Sequence, residues 1–90
     1  MLETDIKVIN QLGLHARAAA QLVRLAGKFS STIIIKRKNN KLLADAKSIL
    51  SILALAASKG TILILEVEGT DEKNAFEEIK MLFANGFGEM

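Results

Sequence analysis

The pattern of this chain predicts an α+β domain, with helices packed on one face of an antiparallel sheet. Two periodicities and their order carry this expectation. Apolar and polar residues alternate around positions 4–8 and 61–68, the period of a strand with one face buried, and 32–37 is isoleucine-rich. Between and after these stretches, apolar residues recur three and four apart, the period of a helix with one buried face. The order β-α-β-β-α-β-α favours segregated layers over a parallel sheet. Strand order is not visible in a sequence, so a ferredoxin-like arrangement of the same elements stays open.

Thr4, Ile6 and Val8 alternate with Asp5 and Lys7 and form the first strand. A loop follows through Asn10, Gln11, Leu12 and Gly13. From Ala16 to Ala26, the residues Ala19, Leu22, Val23 and Ala26 make one buried face, and Gly27-Lys28 suits the helix end. Isoleucine-rich Thr32 to Arg37 reads as a strand, Asn39-Asn40 as a turn, and Lys41, Leu42 and Leu43 as the short returning strand. Residues 45–57 are expected to form a second, apolar helix, closed by Ser58-Lys59-Gly60. In residues 61–68, Leu63, Leu65 and Val67 share one face, while Ile62, Ile64 and Glu66 share the other. Gly69-Thr70-Asp71-Glu72 supplies a turn, a helix cap and an acidic first turn. Ala75, Ile79, Leu82 and Phe83 then form the buried stripe of a third helix, which Asn85-Gly86 ends, leaving a fraying tail.

Composition narrows the classes of function. Ninety residues suit a single domain spanning 1–90, and a composition half hydrophobic argues against disorder. A net charge of +2 is too mild to call for nucleic acid, although the basic pI leaves it open, and with four Phe, no Tyr and no Trp the scarcity of aromatic platforms argues against an RNA-binding surface. With no cysteine there is no disulfide framework and no thiolate metal site, so no metal or cofactor is expected. The acidic start Met1-Leu2-Glu3-Thr4-Asp5 does not resemble a signal peptide, and no apolar run approaches the ~20 residues of a membrane span. A cytoplasmic protein without membrane insertion is the expectation.

The chemistry concentrates in Gly13-Leu14-His15-Ala16-Arg17-Ala18-Ala19-Ala20, which holds the only histidine. His15 falls where a loop gives way to a helix. Helix starts offer unpartnered N–H groups and partial positive charge, which suit an anion. A neutral imidazole supplies a lone pair for attack on phosphorus, and Arg17 can neutralise the charge that arrives. Small neighbours, Gly13 and Ala16, let another molecule come close.

This segment, with Gln21-Leu22-Val23 after it, resembles the active-site segment of HPr, the histidine-containing phosphocarrier family of the bacterial phosphotransferase system. Ala46-Lys47-Ser48-Ile49-Leu50 and Glu66-Val67-Glu68-Gly69-Thr70-Asp71-Glu72 resemble two further segments of that family, in the same order. The resemblance implies an open-faced β-sandwich, a four-stranded antiparallel sheet with three helices on one face. It implies a carrier rather than a turnover enzyme. Phospho-enzyme I would phosphorylate His15, and the group would pass to enzyme IIA domains for sugar uptake or regulation. By the resemblance the acceptor atom is Nδ1; composition does not distinguish the two ring nitrogens. Ala16, Arg17 and Ala18 would bind the phosphate. Ala20, Val23, Arg24, Ile49, Leu50 and Leu53 match positions used for partner docking, with plain core packing as the competing reading. Ser48 matches a regulatory serine served by a serine kinase/phosphorylase, which leaves a second reading open: a protein-binding module acting through Ser48. A monomer is expected, although an apolar outer sheet face with Ile34, Ile62 and Ile64 could support self-association.

The chain departs from the family pattern in three places. Ala18 stands where proline is usual, Ser51 replaces a usual glycine, and the stretch from Asn39 to Ala46 is slightly long. Alanine keeps the helix and restores an N–H at a position where proline is tolerated.

Overall fold

The computed structural model describes residues 1–89. Four strands form one antiparallel sheet: β1 (Leu2–Lys7), β2 (Thr32–Arg37), β3 (Leu43–Asp45) and β4 (Ile62–Glu68), in the order β1-β4-β2-β3. Three α-helices are interleaved with them: α1 (Ala16–Ala26), α2 (Ile49–Ala54) and α3 (Glu72–Ala84). A 3-10 turn, Gly86–Gly88, follows. The strand order left open by the sequence is thus settled: the first strand is an edge and pairs with the last one only.

Register follows from burial. Ile33 and Ile35 on β2 face Val67 and Leu65 on β4, and Ile6 on β1 faces Leu63. All six are buried and form the floor of the core, as alternation required. The helices cover this floor through Ala18, Ala19, Leu22 and Ala26 of α1, Ile52 of α2, and Ala75, Ile79 and Phe83 of α3. Each large side chain fully buried here is worth ~1.5–3 kcal/mol. The opposite sheet face carries the other set, including half-buried Ile34 and Ile64 and more exposed Ile62. A Lys36–Glu66 ion pair at 2.5 Å breaks up this apolar surface. The bond to Glu66 raises the Lys36 pKa above its ordinary value.

Three elements differ from the sequence expectation. The returning strand is Leu43–Asp45, later than residues 41–43, and Lys41 takes a left-handed turn conformation at φ 63°. The second helix is six residues long rather than spanning 45–57. Asp45 still pairs with Ile34 in the sheet, and its side chain accepts the Lys47 N–H at 2.9 Å, which turns the chain before the helix begins. Ser48 then caps α2, and Ala56, at φ 50°, ends it. Residues 86–89 do not fray, and Met90 lies outside the described residues. Phe87 is buried, and its ring packs edge-on against Phe83 with centroids 4.9 Å apart.

Asp71 stands at the N-cap of α3 but makes no side-chain cap. Its carboxylate instead accepts the N–H groups of Ser30 and Ser31 at 2.8 and 3.0 Å and the Ser31 hydroxyl. This ties the turn before β2 to the turn after β4. Above all the Ser31 hydroxyl, and then the Ser30 N–H, hold Asp71 below the ordinary carboxylate range. No helix among the described residues is long and apolar enough to cross a membrane.

Candidate functional site

The loop before α1 is built to hold one residue. Gly13 adopts φ 67°, and a Cβ there would lie 2.6 Å from the Ala57 carbonyl oxygen and 2.9 Å from Ser58 Cα. Only glycine seats the loop this tightly against the segment after α2. Leu14, buried, donates its N–H to the same Ala57 oxygen at 2.9 Å. The end of α2 is itself fixed by Arg37, whose guanidinium donates to the Leu55 carbonyl at 2.7 Å and the Ala56 carbonyl at 3.3 Å. The base on which His15 stands is therefore tied to β2 as well as to its own helix.

His15 is the N-cap of α1, with extended backbone at φ −75° and ψ 178°. Its carbonyl accepts the first helical bond from Ala19 at 2.8 Å. Nδ1 accepts the Arg17 N–H at 3.3 Å, so the imidazole performs the capping usually done by Ser or Asp. The N–H groups of Ala16 and Ala18 belong to the same first turn and have no partner within the helix. Nε2 is hydrogen-bonded to Glu89 Oε2. The Arg17 guanidinium lies 3.6 Å from that oxygen, with most of its side chain in solvent.

Glu89 and Asn10 are the members that sequence reasoning missed. Asn10 is fully buried; its amide nitrogen donates to the Gly13 carbonyl at 2.8 Å and to Glu89 Oε1 at 2.9 Å. The Asn10 amide first, then the bond to His15 and the nearby charges of His15 and Arg17, hold the Glu89 carboxyl below its ordinary range, while partial burial opposes them. Asn10 had a local signal, since it opens the turn that closes at Gly13 with a 3.1 Å backbone bond. Glu89 had none: its partner is 74 positions away.

His15, Arg17, Ala16 and Ala18 thus gather at one helix start. Ser48 stands apart from them, capping α2: its hydroxyl accepts the Ser51 N–H at 3.4 Å, and its backbone bonds Asp45 and Ile52. Of the docking candidates, Leu50, Ile49 and Arg24 are exposed, while Ala20, Val23 and Leu53 are half-buried. Val23 and Leu53 pack against the core, so part of their apolar surface is already spent. Leu12 is a further exposed apolar residue, 65 % accessible in the loop that leads to His15, and the sequence reading did not single it out.

An open-faced sandwich that presents one histidine at the start of its first helix defines the class of this protein. Comparison with known proteins gives the family. Residues 2–85 match the family model described as "PTS HPr component phosphorylation site". The chain is 46% identical over 89 residues to phosphocarrier protein HPr of Cupriavidus necator, covering 99% of this chain and 98% of that one. The crystal structure of HPr-C-His from Thermoanaerobacter tengcongensis superimposes with a TM-score of 0.92 at 41% identity, covering 100% of this chain and 99% of that one. An HPr dimer from the same organism matches with a TM-score of 0.76 at 40% identity, over 99% of this chain and 100% of that one. The chain belongs to the PTS HPr family of phosphocarrier proteins.

Proposed function

We propose that this protein carries a phosphoryl group on Nδ1 of His15, accepted from phospho-enzyme I and passed to enzyme IIA domains for sugar uptake or regulation. The observation that carries the reading is the seat of the imidazole. Nδ1 meets a helix-start N–H, Nε2 meets a carboxylate, and a largely exposed cation stands beside that carboxylate. The lone pair on Nδ1 attacks phosphorus in line with the departing group. The Arg17 N–H that now caps through Nδ1 is then beside the phosphoryl oxygens, with the N–H groups of Ala16 and Ala18 as further donors. Arg17, largely in solvent, swings its guanidinium onto the dianion.

The protein is a carrier and not a turnover catalyst in this reading, because its nucleophile stays occupied until a receiver takes the group. Receivers and donor dock on the surface around the site, through Ala20, Val23, Arg24, Ile49, Leu50 and Leu53. A phosphate on Ser48, placed by a serine kinase, would put a dianion beside exposed Ile49 and Leu50 and repel acidic partners there. The cytoplasm is the proposed location and a monomer the proposed working form.

Incubation with phosphoenolpyruvate and a generic enzyme I tests this. Intact mass is expected to show one acid-labile phosphate on the native chain and none on His15→Ala. A folded native chain that stays unlabelled, beside an enzyme I that labels another carrier, would overturn the reading.

A further inference from the structure

We propose that Glu89 is a positioning residue for phosphoryl transfer: its carboxylate fixes which nitrogen of His15 is free and offsets the charge the ring gains on phosphorylation. The inference rests on the reading of His15 as the acceptor and deepens it. The family match covers residues 2–85, and Glu89 lies four residues beyond it.

The carboxylate is held from both sides. Oε2 meets His15 Nε2, and Oε1 meets the amide of buried Asn10, which also grips the Gly13 carbonyl. One side chain thus links the acid to the turn that carries the histidine. The segment bearing Glu89 is equally fixed. Gly86, Phe87 and Gly88 are all left-handed, at φ 62°, 58° and 74°. Phe87 is driven into that conformation while its ring is buried against Phe83, and its carbonyl accepts the Gln21 amide at 3.3 Å. Such a run seats Glu89 against the imidazole, with its side chain mostly buried.

Two contacts agree on the tautomer. An ionised carboxylate only accepts, so Nε2 carries the hydrogen. Nδ1 accepts from the Arg17 N–H, so it carries the lone pair. In the transfer step that pair forms the N–P bond. The bond from phosphorus to the donor's leaving atom breaks, and the leaving atom takes its electrons. No proton moves: Nε2 keeps its hydrogen, and the ring becomes a cation facing Glu89. When the group passes on, the N–P pair returns to Nδ1 and the neutral ring is restored. Arg17, 3.6 Å from the same carboxylate oxygen, is held near the site until a phosphoryl dianion competes for it.

The test compares native protein with Glu89→Ala and Glu89→Gln, each checked by thermal unfolding. Nitrogen-15 spectra of the neutral ring are expected to show a single Nε2–H tautomer in the native protein. The Nδ1–H form should appear in Glu89→Ala and recede in Glu89→Gln, whose amide oxygen can still accept from Nε2. Phosphoryl acceptance from enzyme I should fall about tenfold in Glu89→Ala, in kcat rather than KM, with Glu89→Gln intermediate. Unchanged tautomer and rate in a folded Glu89→Ala protein would overturn the inference while leaving the carrier role intact. So would a rate loss that only tracks lost folding. A native protein that takes up no phosphate overturns both, whatever its tautomer.

Discussion

Gly13→Ala is the perturbation that best probes how the fold aims His15. The glycine sits at φ 67°, where an L-residue costs ~1–2 kcal/mol. Its new methyl would lie 2.6 Å from the Ala57 oxygen and 2.9 Å from Ser58 Cα, both backbone atoms that cannot rotate aside. Relieving such an overlap by moving the chain typically costs a further ~1–3 kcal/mol. The sum is about 2–5 kcal/mol, and for a domain of this size each kcal/mol lowers Tm by ~4–8 °C. The loop has one direction in which to yield, away from the segment after α2. That movement stretches the 2.9 Å Leu14 N–H bond to Ala57 and tilts the residue that follows. Calorimetry and enzyme I–dependent labelling on the same samples check both effects, with the labelling done well below the variant's Tm. Expected are a Tm loss of ~10 °C or more and a labelling rate reduced even where the protein is folded. A variant within ~0.5 kcal/mol of native, the range of an ordinary surface change, would refute the steric argument. A destabilised variant that labels at the native rate would refute the claim that this contact aims the histidine.

Other consequences follow from the same contacts. Phe87→Ala should cost ~3–5 kcal/mol by chemical denaturation, because the ring is buried, and should also free Glu89, so that the His15 nitrogen spectrum moves toward that of Glu89→Ala. Asp71 and Glu89 have folded pKa values below their ordinary range, so the stability they lend is present above the unfolded carboxylate values, ~4. It is lost as pH falls through the lowered folded values; acid titration of unfolding should show this loss below about pH 4, and Asp71→Asn should flatten it. Ser48→Asp should leave acid-labile labelling of His15 chemically possible but raise the KM for an acidic partner, and added salt should narrow the gap from native. Arg17→Ala should slow labelling while leaving stability within ~0.5 kcal/mol of native, since the side chain is mostly in solvent.

How much of this could be read beforehand depended on the range of the interactions. The long strands were legible because one buried face forces an alternation: Leu63, Leu65 and Val67 are buried where the period required. The first helix was legible for the same reason, with a 3.6 period and a glycine at its end. The second helix was overextended because alanines at 44, 46 and 57 are apolar in either conformation. What delayed the helix start was local hydrogen bonding by Asp45 and Ser48, and what ended it was the left-handed Ala56, neither of which hydrophobic periodicity registers.

The site divides along the same line. His15, Arg17 and the loop glycine lie within five residues, so their chemistry can be read from their neighbours. Glu89 cannot be read that way, because a glutamate after Gly-Phe-Gly looks like any solvated end. It acquires its proposed role only when Phe87 packs on Phe83 and the buried Asn10 amide donates to its carboxylate. A nucleophile announces itself by residue type, since few side chains can attack phosphorus. The acid proposed to orient it is one of ten acidic residues, and only the tertiary structure selects it. Sequence reasoning therefore finds the proposed acceptor and its adjacent cation before it finds what would aim them. In this protein the aiming is the part that tertiary contacts supply: a glycine pressed on one side of the loop, and a carboxylate gripped on the other.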